Sequence, residues 1–421
     1  MPPQTRRNYQ RRRRVETRRQ RQRGGKKIGE GSYGCVYRPP LLCEGEVVRR
    51  ENTVSKLMKT RHALDEIKEN AHIDRIDPEF EFHLPPPEMC SPAPPDKEHD
   101  KNFKGCDIVK KIKKKYPDWK ERNMLTVLQM PDGGMSLSKM SREIKDATMR
   151  EKHRFMKGLG RLFRGVHIMN KNDFLHYDIK RDNVVVKREE DGTYRFNFID
   201  FGLAIHNVNT TTIKTKVFNK GYFVRPLELT LLDSDPVYTI LQKTPKYHKK
   251  DMESVSPILL KSPIEIMNMN HSLSPVILYD YMKEIVDDSY ASEINDVYVY
   301  GKENIYLPNY ETWRDTIYPK YIRDIDQFKL VSNNVLNKDA YDEYGRMLLR
   351  QSDVFSMGIM LVVIWNKIYG VKFELPKPSI KREVKSKLYD LIRDLTEFRY
   401  DARLTPNEAY RRYNEIIILL K

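Results

Sequence analysis

The chain has 421 residues, of which 32% are charged and 39% hydrophobic, with a net charge of +17. This composition fits a soluble globular protein with polar extensions, organised as one large domain or two ordinary ones. The longest apolar runs, Ile359–Trp365 and Ile416–Leu420, are far shorter than the ~20 residues of a membrane span, and no apolar stretch follows the N-terminal charges. We therefore expect no membrane association and no secretory signal.

Cysteine usage predicts an intracellular protein. The four cysteines show neither CxxC spacing nor histidines at the intervals of a metal site. Reduced thiols are the expected state of such residues inside cells. They are Cys35, Cys43, Cys90 and Cys106.

Most of the positive charge lies at the N-terminus. Residues 1–27 contain ten Arg, two Lys and one Glu, which is a net charge of +11. Like charges repel and almost no apolar residue is present, so we expect residues 1–24 to be disordered. Such an arm contacts nucleic acid or another polyanion nonspecifically, serves in nuclear import, or is a solvated tail without a partner.

A glycine-rich motif follows, KIGEGSYGCVY at residues 27–37. The GxGxxG pattern occurs in several nucleotide-binding folds. No apolar strand precedes these glycines, and Pro39-Pro40 prevents a helix after them, which excludes a dinucleotide fold. A hairpin is the better interpretation, with backbone N–H groups approaching phosphate oxygens and with Ile28 and Val36 covering a base.

The next elements are a short strand and a helix. Residues 53–58, TVSKLM, place Lys56 on the predicted strand, with Lys59 as the weaker alternative. Apolar residues from Leu64 to Ile76 recur at helical spacing, and Glu66 and Glu69 lie among them. Residues 85 to about 122 are rich in Pro and Lys and predict an irregular insertion. Residues 124–130, MLTVLQM, then predict a buried strand.

The most informative stretch is Phe174–Gly202, FLHYDIKRDNVVVKREEDGTYRFNFIDFG. Two apolar strands flank an Asp-Gly turn, which predicts a hairpin. Such a hairpin brings Asn183 and Asp200 to the same end, where they offer two oxygen ligands to a hard divalent cation. Asp178 lies nearby as a candidate base.

This stretch, HxDxKxxN followed by DFG, resembles the catalytic and metal-binding loops of protein kinases. With the glycine motif, Lys56, the Arg225–Glu228 and Asp401–Thr405 segments and the helix that begins at Ser352, the chain resembles eukaryotic-type serine/threonine protein kinases, most closely those of large cytoplasmic DNA viruses. The resemblance implies an α+β bilobal fold. A small β-rich lobe with one helix would span residues 25–130, and a large, mainly helical lobe would span residues 131–421, with a long insertion at about 229–350.

The resemblance also implies roles for individual residues. Asp178 would accept the substrate proton, Lys180 would stabilise the transferring phosphoryl group, and Asn183 and Asp200 would hold Mg²⁺. Lys56 would contact the ATP phosphates and pair with Glu69, which we favour over Glu66. The residues expected to bind ATP are Ile28, Gly29, Glu30, Gly31, Ser32, Tyr33, Gly34, Cys35, Val36, Lys56, Gln129 and Met130.

Three further expectations concern the large lobe. Asp353 would hold the catalytic-loop backbone, and Arg403 would form a buried ion pair with Glu228. Tyr177 stands where the family has the Arg that meets a loop phosphate, so the polar loop at residues 207–216 would need no phosphorylation. The insertion is either a helical elaboration or a docking surface for substrate or partner.

The implied activity is transfer of the ATP γ-phosphate to Ser and Thr hydroxyls of a protein substrate. The alternative is a pseudokinase-type, ATP-binding scaffold with a basic nucleic-acid-binding arm. We expect a monomer in the host cytoplasm, the nucleus or the virion.

Overall fold

The computed structural model describes residues 25–31, 33–93, 105–116, 124–206, 225–232, 241, 261–269, 274–290, 309–332, 335–369 and 382–420. The N-terminal tail, Ser32 and the polar loop at residues 207–216 lie outside these ranges. The chain divides into two compact units, residues 1–133 and 134–421. The fold is mixed α+β, with an antiparallel sheet in the first unit and mainly helices in the second.

Unit 1 contains a five-stranded antiparallel sheet with the order β1-β2-β3-β5-β4. Its strands are β1 (Lys26–Gly31), β2 (Gly34–Arg38), β3 (Thr53–Lys59), β4 (Glu88–Cys90) and β5 (Leu125–Pro131). Helix α1 (Thr60–Ile76) follows β3 directly, and helix α2 (Asp107–Lys115) precedes β5. The glycine motif is thus the β1–β2 hairpin, and Lys56 lies on β3, as the sequence predicts.

The expectation of an irregular segment at residues 85–122 is wrong for β4 and α2. Ile108, Val109 and Ile112 form one apolar face of α2 and are buried against Leu57 and Val127 of the sheet. The lysines of α2 point away from this core, so a sequence rich in Lys still gives an amphipathic helix.

The expectation of reduced thiols is also wrong. Disulfides join Cys35 to Cys106 and Cys43 to Cys90, and among the described residues no cysteine is free. The paired residues are 71 and 47 positions apart, with Cα–Cα distances of 6.0 and 5.7 Å. Pairs so distant in sequence leave no local pattern, and only the folded sheet and α2 bring them within disulfide range.

Unit 2 begins with β6 (Met135–Ser136), α3 (Leu137–Lys145), α4 (Met149–Lys171), β7 (Phe174–Leu175), β8 (Val184–Arg188), β9 (Tyr194–Phe198) and β10 (Ile205–His206). Further described elements are α5 (Pro263–Asn268), α6 (Ser274–Tyr290), α7 (Tyr310–Thr312), α8 (Tyr318–Phe328), β11 (Val331–Ser332), β12 (Val335–Leu336), α9 (Lys338–Leu349), α10 (Ser352–Tyr369), α11 (Arg382–Leu395) and α12 (Pro406–Leu419). A short π-helix, Trp313–Ile317, joins α7 to α8.

The core of unit 2 forms around α4 and α10. Along α4 one face is buried, and its Phe163 stacks on Tyr413 of α12 at 4.3 Å between ring centroids. Nearly every residue of α10 is buried. The helical stretch Lys338–Tyr369 has the length and hydropathy of a membrane span, but 83% of its most apolar window is buried within the structure, as in the core helix of a soluble protein.

Residues 229–350, expected to be an insertion, are largely helical where the structure describes them. Asp324 on α8 is buried and accepts hydrogen bonds from Lys320 Nζ and from the Tyr400 hydroxyl, the latter at 2.8 Å. Trp313 lies edge-on to Phe398. These contacts tie α8 and Trp313 to the turn after α11, and both the helical elaboration and the docking surface stay predictions for this region.

Candidate active site

The glycine hairpin of unit 1 contains two kinds of glycine. Gly34 is packed so tightly that a Cβ there would overlap the carbonyl oxygen of Leu57. A Cβ on Gly31 would meet nothing within 4 Å, and one on Gly29 would make only an ordinary contact with Val36. Packing therefore explains Gly34, whereas Gly29 and Gly31 leave backbone accessible to a ligand such as a phosphate.

The hairpin is fastened to α2 at its side. The Glu30 carboxylate accepts a hydrogen bond from Lys27 Nζ at 2.6 Å and another from the backbone N–H of Asp107 at 2.8 Å. The bond from Lys27, followed by the one from Asp107, holds the pKa of Glu30 below its ordinary value. With the Cys35–Cys106 disulfide, these bonds give Glu30 and Cys35 side-chain roles in structure. Their backbone contacts with ATP stay predictions.

Lys56 lies in the middle of a row that crosses the sheet. It pairs with Val36 on β2 and with Leu128 on β5, so the three side chains share one face. Its Nζ lies 2.6 Å from Oε2 of Glu66 on α1. The Lys56 and Glu66 side chains are 15% and 14% exposed, which makes the ion pair largely desolvated.

The prediction that Glu69 is the partner of Lys56 is wrong. That choice assumed an apolar stripe through Leu64, yet Leu64 is 44% exposed, while Ala63 is buried. With about 3.6 residues per turn, a helix that turns Ala63 toward the sheet carries Glu66 to the same side one turn later. Glu69 lies another turn along α1.

The predicted adenine contacts lie at the end of β5. Gln129 pairs with Ser55 on one side and Glu88 on the other, and its side chain donates to Glu46 at 2.9 Å. Met130 lies beyond the last residue pair of β4 and β5. Backbone hydrogen bonds from Gln129 and Met130 to a base stay predictions.

In unit 2, Asp178 is at the centre of a compact polar cluster. Its carboxylate accepts hydrogen bonds from Lys180 Nζ at 2.9 and 3.1 Å and from Asn183 Nδ2 at 2.6 Å. Asp178 and Asn183 are buried, and Asn183 Nδ2 also donates to the Asp178 carbonyl oxygen. The structure therefore brings together three of the predicted site residues, with the Lys180 ammonium against the carboxylate.

His176 connects this loop to the DFG segment. The Asp178 N–H donates to His176 Nδ1 at 3.3 Å, so the ring proton is on Nε2, which donates to the Ile199 carbonyl at 3.2 Å. Phe201 is buried, with its ring 4.8 Å from that of His176. The loop and the residue before Asp200 are thus held by one buried imidazole.

The β8–β9 hairpin confirms the predicted proximity of Asn183 and Asp200. Val184 pairs with Phe198, and the Ile199 N–H donates to the Asn183 carbonyl at 3.0 Å. Because Asn183 turns its amide nitrogen toward Asp178, its Oδ1 is left as a ligand atom. Asn183 Oδ1 and the Asp200 carboxylate, at the same end of the hairpin, are the kind of oxygen ligands that Mg²⁺ prefers.

Two structural expectations for unit 2 are confirmed. Asp353 accepts hydrogen bonds from the backbone N–H groups of His176 and Tyr177, at 2.7 and 2.9 Å. Arg403 Nη2 lies 2.5 Å from Glu228 Oε1, and both side chains are fully buried. The Asp353 bonds anchor the loop that carries Asp178 to α10, and the ion pair anchors the segment at residues 225–232 to the turn before α12.

One contact of this loop has no counterpart in the sequence analysis. The Arg225 guanidinium lies over the ring of Tyr177, 3.8 Å from its centroid. The two residues are 48 positions apart, and a single Arg before a Pro carries no signal for such stacking.

No protein-family model matches the chain. A search of curated proteins finds no match either.

Proposed function

We propose that the protein is a serine/threonine protein kinase with the bilobal kinase fold. The observation that carries this proposal is the buried Asp178 carboxylate, hydrogen-bonded to Lys180 and Asn183 at the end of a hairpin that also presents Asp200. A base, a cation and two metal-ligand side chains within one loop and hairpin form the constellation that phosphoryl transfer to a hydroxyl requires.

Each residue has a defined task in this proposal. Asp178 accepts the proton of the attacking Ser or Thr hydroxyl, and the Lys180 ammonium stabilises the negative charge of the transferring phosphoryl group. Asn183 and Asp200 hold Mg²⁺, which would neutralise charge on the ATP phosphates. In unit 1, Lys56 contacts the phosphates, and Glu66 keeps the Lys56 ammonium on the ligand-facing side of the sheet.

The glycine hairpin supports nucleotide binding independently of unit 2. Gly29 and Gly31 leave space where side chains would otherwise stand, and the hairpin is held by Glu30 and by a disulfide. A hairpin that is already held in place loses little conformational entropy when its backbone binds a phosphate. Lysine at position 180 is the pattern of kinases that act on Ser and Thr, so a protein hydroxyl is the proposed acceptor.

The test is phosphotransfer from radiolabelled ATP to a generic basic protein substrate in the presence of Mg²⁺. Asp178→Asn should lower kcat at least about a hundredfold, as expected for loss of a general base. Asp182→Asn is the matched control, because Asp182 lies in the same turn and is exposed. Full activity of Asp178→Asn would refute the mechanism.

A second matched pair tests the nucleotide-binding half of the proposal. Lys56→Met should raise the KM for ATP and lower kcat, whereas Lys59→Met, at the exposed end of the same strand, should change neither. ATP binding without any transfer by the wild-type protein would instead identify an ATP-binding scaffold.

A further inference from the structure

The backbone of Tyr177 has an unusual conformation. Its φ angle is +62°, in the left-handed region that a bulky aromatic side chain rarely adopts. Residues in this region persist only where their surroundings hold them. Since Tyr177 directly precedes Asp178, whatever holds Tyr177 also sets the position of the proposed base.

Separate contacts hold the backbone N–H, the carbonyl oxygen and the ring of Tyr177. Asp353 accepts its N–H at 2.9 Å, Arg225 Nε donates to its carbonyl oxygen at 3.4 Å, and the Arg225 guanidinium covers its ring. Tyr177 and Arg225 are both buried. A guanidinium over an aromatic face is attracted most strongly when both are removed from water, as they are here.

Arg225 also belongs to a segment that a buried ion pair anchors. It lies three residues before Glu228, which is fixed to Arg403 by the buried ion pair. The ion pair ties the segment of Arg225 to the turn before α12, and Arg225 in turn contacts the loop that carries Asp178.

We propose that Arg225 is a positioning residue that acts through Tyr177, a proposal that rests on the proposed kinase function. The Arg225–Tyr177 stack fixes the backbone before Asp178 with a cation that belongs to the chain itself. A catalytic loop held in this way needs no phosphate on residues 207–216 to become ordered. Transfer activity is then constitutive, and its maximal rate depends on the stack.

The test compares substitutions on both sides of the stack, with kcat and the KM for ATP measured separately. Tyr177→Phe keeps the ring and should stay within about twofold of wild type. Tyr177→Leu and Arg225→Met should each lower kcat on the order of tenfold, with little change in the KM for ATP. The double variant should be no slower than the slower single variant, because both changes remove the same contact.

Two further measurements guard against failure to fold and against failure of the proposed function. Arg225→Lys keeps the charge but lacks the flat guanidinium, so its kcat should lie between that of wild type and a tenfold loss. This variant tests the stack even if Arg225→Met does not fold. Hydrogen–deuterium exchange needs no activity: Arg225→Met should speed exchange in residues 174–183 and leave α12 unchanged. If wild type transfers no phosphate, the proposed function fails, and this exchange measurement still decides on the stack.

Three outcomes would overturn the proposal. The first is unchanged exchange in residues 174–183 of Arg225→Met. The second is additive losses of kcat in the double variant. The third is loss of wild-type activity after treatment with a protein phosphatase, because that result would show that a phosphate, and not the stack, orders the loop.

Discussion

The buried Glu228–Arg403 ion pair gives the sharpest prediction of stability. Glu228→Gln keeps the shape of the side chain but removes its charge, leaving the Arg403 guanidinium buried without a counter-ion. Arginine stays charged in proteins, so this cost cannot be relieved by loss of a proton. Breaking one side of a buried pair costs about 3–5 kcal/mol of unfolding free energy.

The structure sets this estimate toward the lower end of that range. Arg403 also donates to the carbonyl oxygen of Glu397, from Nε at 2.9 Å and from Nη2 at 2.7 Å. These hydrogen bonds remain in Glu228→Gln and continue to solvate part of the guanidinium charge. We therefore expect a loss of about 3 kcal/mol.

Arg403→Met removes the other partner of the pair, and the stability that it loses should depend on pH. Burial raises the pKa of the Glu228 carboxyl above its ordinary value, and the Arg403 cation opposes this shift. Without Arg403 the folded-state pKa rises further above the unfolded value, so the folded form binds more protons. The destabilisation of Arg403→Met relative to wild type should therefore be largest at neutral pH and shrink as the pH falls and the Glu228 carboxyl becomes protonated.

Urea unfolding followed by tryptophan fluorescence measures both effects. Trp313 lies edge-on to Phe398 and so reports on the region around Arg403. Glu415→Gln is the control, because it breaks an exposed Arg411–Glu415 pair on α12 worth about 0.5 kcal/mol or less. If Glu228→Gln lost no more unfolding free energy than the control, the Arg403 guanidinium would not be an uncompensated buried charge in this variant, and the reasoning would be refuted.

Three further predictions concern unit 1. Gly34→Ala should lower stability by about 1–3 kcal/mol through steric overlap, whereas Gly31→Ala should keep the melting temperature and raise the KM for ATP; equal melting temperatures would contradict the distinction. Glu66→Gln should reduce kcat/KM by about tenfold or more, and Glu69→Gln should reduce it much less. The reverse order would indicate that Glu69, and not Glu66, is the functional partner of Lys56. Reducing both disulfides should lower the melting temperature. Each loop alone, with separations of 71 and 47 residues, is worth about 4 kcal/mol, and the combined loss should be less than the sum because the Cys43–Cys90 loop lies within the Cys35–Cys106 loop. The variant with all four cysteines replaced by Ser should not respond to reductant, and a wild type equally unresponsive would argue against the disulfides.

Sequence reasoning was most successful where chemistry is local. The hairpin that joins Asn183 to Asp200 follows from two alternating strands and an Asp-Gly turn, and the structure has the expected register. The Glu228–Arg403 pair and the Asp353 contacts were predicted through a family resemblance, since no local pattern links residues 175 positions apart.

The wrong predictions share a physical cause. Packing sets the rotation of a helix about its axis and decides which residues far apart in sequence come into contact. Glu66 and Glu69 lie on one helix at positions that composition does not distinguish, and the burial of Ala63 decides between them. Helix α2 was missed because its apolar residues are few among the lysines, and they are buried only because the sheet packs against them.

The sequence by itself determined the identity and order of the proposed catalytic groups, because motif spacing within a loop or hairpin fixes which side chains can meet. Only the tertiary structure decided the disulfide pairs, the glutamate partner of Lys56 and the Arg225–Tyr177 stack. Each of these joins residues from different elements, and their meeting depends on how those elements pack. At Tyr177 the sequence showed that an expected arginine is missing, and the fold places another arginine against its ring.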